Sequence, residues 1–265
     1  MIKKYFITGD KHGNFHSILQ NELVKNSDNA VIILGDHGFN YYLNKYDDRL
    51  KEEISQNSSC IWYCVRGNHC ARPQNIPGMQ LVYESEVNGK IYMEERFPNI
   101  RYFMDCVAEY EIMGKKILCI PGAYSVDKWY RLQNGWQWFA QEQLSAEEMK
   151  IAEEQFSGKY YDFVFSHTCP ISWEPNDLFL SMIDQSTVDK TMEVWMDKFK
   201  EKILWKHWVF GHFHSDRIER PYVEQFYTEV EDIESIIARW DKYDKTSELD
   251  WWLPKSPNFY MEIKE

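Results

Sequence analysis

Hydrophobic residues in this 265-residue chain fall in short, continuous, β-branched or aromatic runs: "YFIT" at 5–8, "AVIIL" at 30–34, "IWYCV" at 61–65, "ILCI" at 117–120, "DFVFS" at 162–166 and "HWVF" at 207–210. Continuous runs of this length predict strands buried on both faces. Between and after them the apolar positions recur at helical spacing over 42–56, 145–157, 186–203 and 232–243, and Ser145 with Glu148 fits a capping box at the start of the second of these. Such alternation predicts an α/β protein. Two hairpins are expected, one around Asn88-Gly89 and one at "MGKK", 113–116, so the sheets are mixed. With no repeat, low-complexity tract or Gly/Ser linker, residues 1–265 read as a single domain. Residues 216–265 form a C-terminal strand/helix extension packed on the body, and the aromatic "DWWLPKSPNFYMEI" serves as an edge strand or clamp.

Composition narrows the function. A chain with 44% hydrophobic and 16% aromatic residues has ample material for a core. The formal charge of −12, from 30 Lys and Arg against 42 Asp and Glu without a basic block, disfavours loose binding to extended nucleic acid or anionic lipid. There is no apolar run long enough to span a membrane and no signal-peptide pattern at "MIKKYFITGD", so a cytoplasmic protein is expected. The 6 cysteines form no C-x-x-C pair and read as reduced, mostly buried thiols.

The decisive pattern lies at the carboxyl ends of the runs. "YFIT" leads into "GDKHGN" with Asp10 and His12, "AVIIL" into "GDHGFN" with Asp36, and "IWYCV" into "RGNHC" with Asn68 and His69; "DFVFS" leads into His167, and "HWVF" into "GHFH" with His212 and His214. In α/β sheets the crevice beyond the carboxyl ends of the strands is where sites form, so segments far apart in sequence converge there. Imidazoles, carboxylates and one amide oxygen make a divalent-metal donor set larger than one metal requires. Each element alone has an ordinary explanation: a strand-end turn for Asp10 and His12, a common loop dipeptide for Gly35-Asp36, a satisfied core histidine for His167. Their conjunction, with Gly before Asp10, Asp36, Asn68 and His212, does not.

The series "GDKHGN … GD … GNH … SH … GHFH" resembles the calcineurin-like metallophosphoesterase family over residues 9–214. The resemblance implies a four-layer α/β/β/α sandwich of two mixed β-sheets with a dinuclear site at the strand ends. It implies one metal on Asp10, His12 and His214, a second on Asn68, His167 and His212, Asp36 bridging both, and His69 contacting the phosphate and assisting the leaving group. Two cations about 3.5–4 Å apart neutralise the charge that makes a phosphate ester resist attack and hold a shared hydroxide in line with phosphorus. The metals this resemblance implies are two divalent ions, Mn²⁺ first, with Fe or Zn²⁺ as alternatives.

The sequence departs from the protein-phosphatase branch of that family. Phe39 and Asn40 stand where an Asp-Arg pair extends the second motif, which removes the usual partner of His69, and Cys70 comes after "GNH" in place of an acid. Cys70 reads as an inert filler, with oxidative inactivation as the alternative. Arg72 and Arg131 are candidate phosphate clamps, against the commoner outcome of solvated surface arginines. Trp129, Tyr130, Trp136 and Trp138 either stack a base or belong to the core. The expected function is hydrolysis of a phosphate mono- or diester on a small phosphorylated or nucleotide-like substrate. The alternatives are a protein serine/threonine phosphatase and a non-catalytic scaffold that keeps the fold.

Overall fold

The computed structural model describes residues 2–246. The chain runs from β1 (Lys4–Thr8) through α1 (His16–Leu19), β2 (Asn29–Ile33), α2 (Lys45–Asn57), β3 (Ile61–Cys64), β4 (Met79–Glu84), β5 (Gly89–Glu94) and β6 (Ile100–Phe103). Next come β7 (Ala108–Ile112), β8 (Lys115–Ile120), α3 (Lys128–Gln133), α4 (Ala146–Phe156), β9 (Tyr160–Ser166) and α5 (Thr191–Phe199). The last described elements are β10 (Leu204–Phe210), β11 (Arg217–Arg220), β12 (Val223–Gln225), β13 (Val230–Asp232) and α6 (Ile233–Thr246).

Two mixed sheets result. The first has the order β13-β1-β2-β3-β6-β5-β4 and the second β11-β12-β10-β9-β8-β7. The central strands β1, β2, β3 and β6 are parallel, as are β8, β9, β10 and β12. Every predicted run is one of these central strands, and β2 is buried along its whole length, as a strand covered on both faces must be.

Alternate residues of each strand feed different layers. Ala30, Ile32, Tyr63, Phe103, Cys119, Phe163 and Val209 fill the core between the sheets, where Ile236 and Trp240 of α6 join them. Val31, Ile33, Trp62 and Tyr102 face outward onto Phe15, Ile18 and Ile54, the apolar positions of α1 and α2 and their flank. Leu118, Ile120, Val164 and Trp208 face outward onto Met149, Phe156, Met192 and Phe199 of α4 and α5. A period of two in the strands thus produces the expected helix/sheet/sheet/helix layering.

Local chemistry sets the element ends. The Ser145 hydroxyl accepts from Glu148 N while the Glu148 carboxylate accepts from Ser145 N, the full capping box. Asn44 caps α2 by accepting from Tyr46 N at 2.9 Å. The β7–β8 hairpin closes through Met113 (φ 53°) and Gly114 (φ 70°), with Ile112 opposite Lys115, the left-handed pair that a tight antiparallel turn requires. The helix expected over 186–203 is shorter than its pattern. Asp184 and Asp189 accept from the backbone of Ser186 and Thr191 and close isolated turns there, so α5 starts only at Thr191. Of the expected C-terminal extension, β11 and β12 add to the second sheet and β13 pairs antiparallel with β1. The aromatic stretch from Asp250 lies outside the described residues.

Candidate functional site

Strands from both sheets end at one place. The loop after β1 hydrogen-bonds to the loop after β2, His12 N donating to Asp36 O at 2.7 Å, and Gly211 N after β10 donates to His167 O after β9 at 3.0 Å. His12, Asp36, His212 and His214 all hold positive φ (45°, 43°, 71° and 54°), a costly conformation for non-glycine residues that sets their side chains facing one another.

The glycines before Asp10, Asp36, Asn68 and His212 all stand where a Cβ would collide with a neighbour, and Gly67 and Gly211 do so against carboxylates. A Cβ on Gly67 would lie 2.5 Å from Asp36 N, and closer to Asp36 Oδ1; one on Gly211 would lie 2.9 Å from Leu34 O, and closer to Asp10 Oδ1. The chain carries glycine at these points so that a carboxylate from another strand can sit against its backbone.

The side chains form a tight donor cluster. His12 Nε2 lies 2.9 Å from His214 Nε2, and Asp10 Oδ2 lies 3.2 Å from His214 Nε2 and 3.7 Å from His12 Nε2. Asp36 Oδ2 lies 3.6 Å from His167 Nε2 and 4.0 Å from both His12 Nε2 and His69 Nδ1, and His167 Nε2 lies 2.8 Å from Asn68 Oδ1. Three overlapping sets, Asp10/His12/His214, His12/Asp36/His69 and Asp10/Asp36/His167, each bring their donor atoms within 4.8 Å. The ring of His212 packs edge-on to that of His167 with centroids 5.0 Å apart, while its backbone N donates to Asp10 Oδ1 at 2.9 Å.

The surroundings fix which atoms face inward. His167 Nδ1 donates to the Leu34 carbonyl at 2.7 Å, which leaves Nε2 facing the cluster. Asn68 Nδ2 donates to Ser125 Oγ at 2.8 Å, so its amide oxygen points at His167; Ser125 Oγ in turn donates to the buried Glu142 carboxylate at 2.6 Å. Asp36 Oδ1 accepts from His69 N at 2.8 Å. His214 stacks on Tyr227 at 4.8 Å.

The electrostatics are those of facing opposite charges. Burial opposes ionisation of Asp36, but the imidazoles of His69, His167 and His12 outweigh it and hold the carboxyl well below its usual range. Burial likewise lowers His167, yet Asp36 and Asp10 raise it to about 9. His212, buried and next to His167, falls to about 3. Among the described residues no well-aligned donor reaches the buried Asp10 Oδ2, a large penalty for a carboxylate oxygen unless something positive sits against it. Nitrogen and oxygen donors crowded this closely, with an orphaned carboxylate oxygen among them, fit divalent cations.

The structure brings Asp10, His12, Asp36, Asn68, His69, His167, His212 and His214 together and does not bring Arg72. The Arg72 guanidinium is spent on Glu148, Asp105 and the carbonyls of Gln141 and Gln143, which tie the α4 cap to the preceding loop, so the expectation of a phosphate clamp there is corrected. Arg131 does reach the site, but it is buried and turned onto His69. Its Nη2 lies 2.9 Å from the imidazole nitrogens, Nε donates to Asp127 at 2.7 Å and Nη1 to Tyr41 Oη at 2.9 Å. Burial and the Arg131 charge lower His69, against the opposing pull of Asp36. Phe39 stacks on Phe15 in the outer core, a packing position, and the aromatics Trp129, Tyr130 and Trp136 are exposed and outside the core. Cys70 is buried with its thiol pushed up by burial and Asp36, and so kept protonated.

Ser125, Glu142, Asp127, Tyr41 and Tyr227 also belong to the site. Their only sequence signal is proximity to turns in loops, which is too common to single them out.

The fold and the donor cluster define a metallohydrolase of the strand-end type. Residues 3–216 match the calcineurin-like phosphoesterase family, and the chain belongs to that family. It is a metal-dependent phosphoester hydrolase. Comparison with curated proteins finds no match. Among solved structures, it is similar to a protein of unknown function from Aquifex aeolicus, at 14% identity over 62% of this chain and 80% of that one with a TM-score of 0.28. It is also similar to a phosphopantetheinyl hydrolase from Mycobacterium tuberculosis, at 12% identity over 94% of each chain with a TM-score of 0.43. No described helix is long and apolar enough to cross a membrane.

Proposed function

We propose that the chain acts as one metallophosphoesterase domain that hydrolyses the phosphate ester of a small molecule at a dinuclear centre, with manganese as the preferred metal. The observation that carries this reading is the convergence of Asp10, His12, Asp36, His167 and His214 with donor atoms 2.9–4.0 Å apart around the orphaned Asp10 Oδ2. In it, Asp10, His12 and His214 would hold one ion, Asn68, His167 and His212 the other, and Asp36 would be shared between them. When bound, the ions supply charge neutralisation at phosphorus and a more acidic water.

The remaining work falls to the chain. The Leu34 carbonyl and the Ser125–Glu142 pair keep His167 Nε2 and Asn68 Oδ1 facing inward, so no reorientation is needed when the site fills. Burial and Arg131 hold His69 below its usual range in the free protein, against the pull of Asp36. An anionic phosphate beside it offsets Arg131 and raises it toward the protonated form that donates to the leaving oxygen. Arg131, braced by Asp127 and Tyr41, orients the imidazole instead of gripping the substrate alone.

The test is chelation followed by readdition of Mn²⁺, Fe²⁺ or Zn²⁺, with p-nitrophenyl phosphate, bis-p-nitrophenyl phosphate and a phosphopeptide as substrates and elemental analysis of the protein. Hydrolysis of a small ester that vanishes on chelation and returns with about two ions per chain is the expected result. Turnover unaffected by complete metal removal refutes the reading, and preference for the phosphopeptide refutes the small-molecule assignment.

A further inference from the structure

Two clefts open from the same pair of imidazoles. One, of about 460 Å³, contains His12, Asp36, Asn68, His69 and His212 and is walled by Leu178, Phe179, Leu180, Ile183 and Val188 from the irregular segment before α5. The other, of about 370 Å³, contains His12 and His69 again and is lined by Tyr41, Tyr42 and Tyr46. The walls differ in chemistry. The first carries a stretch of aliphatic side chains beside Phe179, among the charged Glu174 and Lys190, and Leu180 in it is 57% exposed, an arrangement that stays wet unless an apolar group covers it. The second is a fan of rings, Tyr41 to Tyr42 at 4.7 Å and Tyr42 to Tyr46 at 5.7 Å, and the Tyr46 ring carries Lys45 and Arg49 each 5.9 Å from its centroid. Tyr42 and Tyr46 are more than half exposed although both line the cleft.

A phosphomonoester has a single organic substituent and fills a single cleft. A phosphodiester has two, which leave phosphorus in different directions. Resting on the phosphoesterase reading above, we propose that the substrate is a phosphodiester that lays an aliphatic arm along Leu178, Phe179, Leu180 and Ile183 and a planar aromatic arm against Tyr42 and Tyr46, with phosphorus held between at His12 and His69. Hydrolysis consumes one water. Its oxygen forms the new P–O bond, one ester P–O bond breaks with its electron pair staying on the departing oxygen, and the proton released by water balances the one that oxygen takes up. The products are a phosphomonoester and an alcohol or phenol, with no change of oxidation state. The aliphatic wall discriminates through apolar contact with each methylene, and the tyrosines through stacking.

The test uses the full chain loaded with Mn²⁺ and three probes below their micellar concentrations: p-nitrophenyl phosphate, methyl p-nitrophenyl phosphate and octyl p-nitrophenyl phosphate. The expected kcat/KM for the octyl diester exceeds that for the methyl diester by at least about tenfold, and both diesters exceed the monoester. Leu180→Ser, at an exposed position that does not support the core, brings the octyl-to-methyl ratio toward one. Tyr46→Ala raises KM for the octyl diester by about three- to tenfold while keeping the octyl-to-methyl ratio. Turnover of the monoester with both diesters refused, equal rates for the two diesters, or a ratio that Leu180→Ser leaves intact overturns this inference and leaves the phosphoesterase reading standing. No turnover of any probe by the metal-loaded chain overturns both.

Discussion

Adding one methyl group at Gly67 perturbs the site without removing a single donor atom. Gly67 precedes Asn68, and its φ is unremarkable, so alanine is excluded by space and not by backbone conformation. The new Cβ lies 2.5 Å from Asp36 N and 2.7 Å from Asp36 Cγ, whereas ordinary contact starts at 3.4 Å. Asp36 and its strand end therefore retreat by about 1 Å, or the Gly67 loop does. Either movement breaks the 2.8 Å hydrogen bond from His69 N to Asp36 Oδ1, a bond to a charged group worth about 1.5–3 kcal/mol, and adds overpacking strain of about 1–3 kcal/mol. A loss of about 2.5–6 kcal/mol is a large part of the stability of a natural domain. It lowers the melting temperature of a chain this size by about 10–20 °C. Misplacing this carboxylate by about 1 Å costs on the order of a hundredfold in turnover. Differential scanning calorimetry and hydrolysis of p-nitrophenyl phosphate below the variant's transition read both effects. A Gly67→Ala protein that melts with the wild type, binds its metal fully and turns over at the wild-type rate refutes the argument that close approach selects glycine here.

His69→Ala is expected to lower kcat by about 10²–10⁴ with metal content unchanged; loss of an ion instead would make His69 a ligand, as its nearness to His12 and Asp36 also permits. Ser125→Ala removes the acceptor that orients Asn68 and is expected to weaken metal affinity by about 10–100-fold, with turnover largely restored at saturating metal; an unchanged affinity by competitive chelation contradicts the orienting role. His207 is buried against Phe163 with neither ring nitrogen hydrogen-bonded among the described residues, and burial, aided by Lys206 and opposed by Asp241 and Asp162, lowers it to about 4. The unfolded chain binds this proton from about pH 6.5 downward and the folded chain only from about 4. Stability therefore falls as pH drops through that window, by up to about 3 kcal/mol. His207→Phe is expected to raise stability and flatten this fall, and urea titrations at pH 7 and pH 5 that show the same drop for both proteins would disprove it.

The strands and the donor residues were legible because both are local properties. A run such as "AVIIL" has no polar position to expose, so it becomes a central strand wherever it packs, and the residue after it lies at the strand's carboxyl end. Asp10, Asp36, Asn68, His167 and the "GHFH" histidines come soon after such runs, so the parallel pairing of the central strands delivers them to the carboxyl rims of the two sheets, which meet at the site. The capping box of Ser145 and Glu148 was legible for the same reason, since donor and acceptor are three residues apart.

Side-chain direction and long-range partnership were not local, and the tertiary structure decided them. Arg72 and Arg131 are the same residue type, yet the first turns to Glu148 and Asp105, which chain crossings bring near it, and the second, tied to Asp127 four residues earlier, is carried by α3 onto the distant His69. Ser125 and Glu142 became supports of Asn68 only when the loop after β8 folded beneath it. The region 186–190 carried a helical pattern that the Asp184 and Asp189 side chains overrode with short turns, and of its residues Val188 joins the apolar lining of the larger of the two clefts. Periodicity records which face of an element is buried, whereas the partner of a buried charge depends on which segments meet, and that is fixed only when the two sheets close on each other.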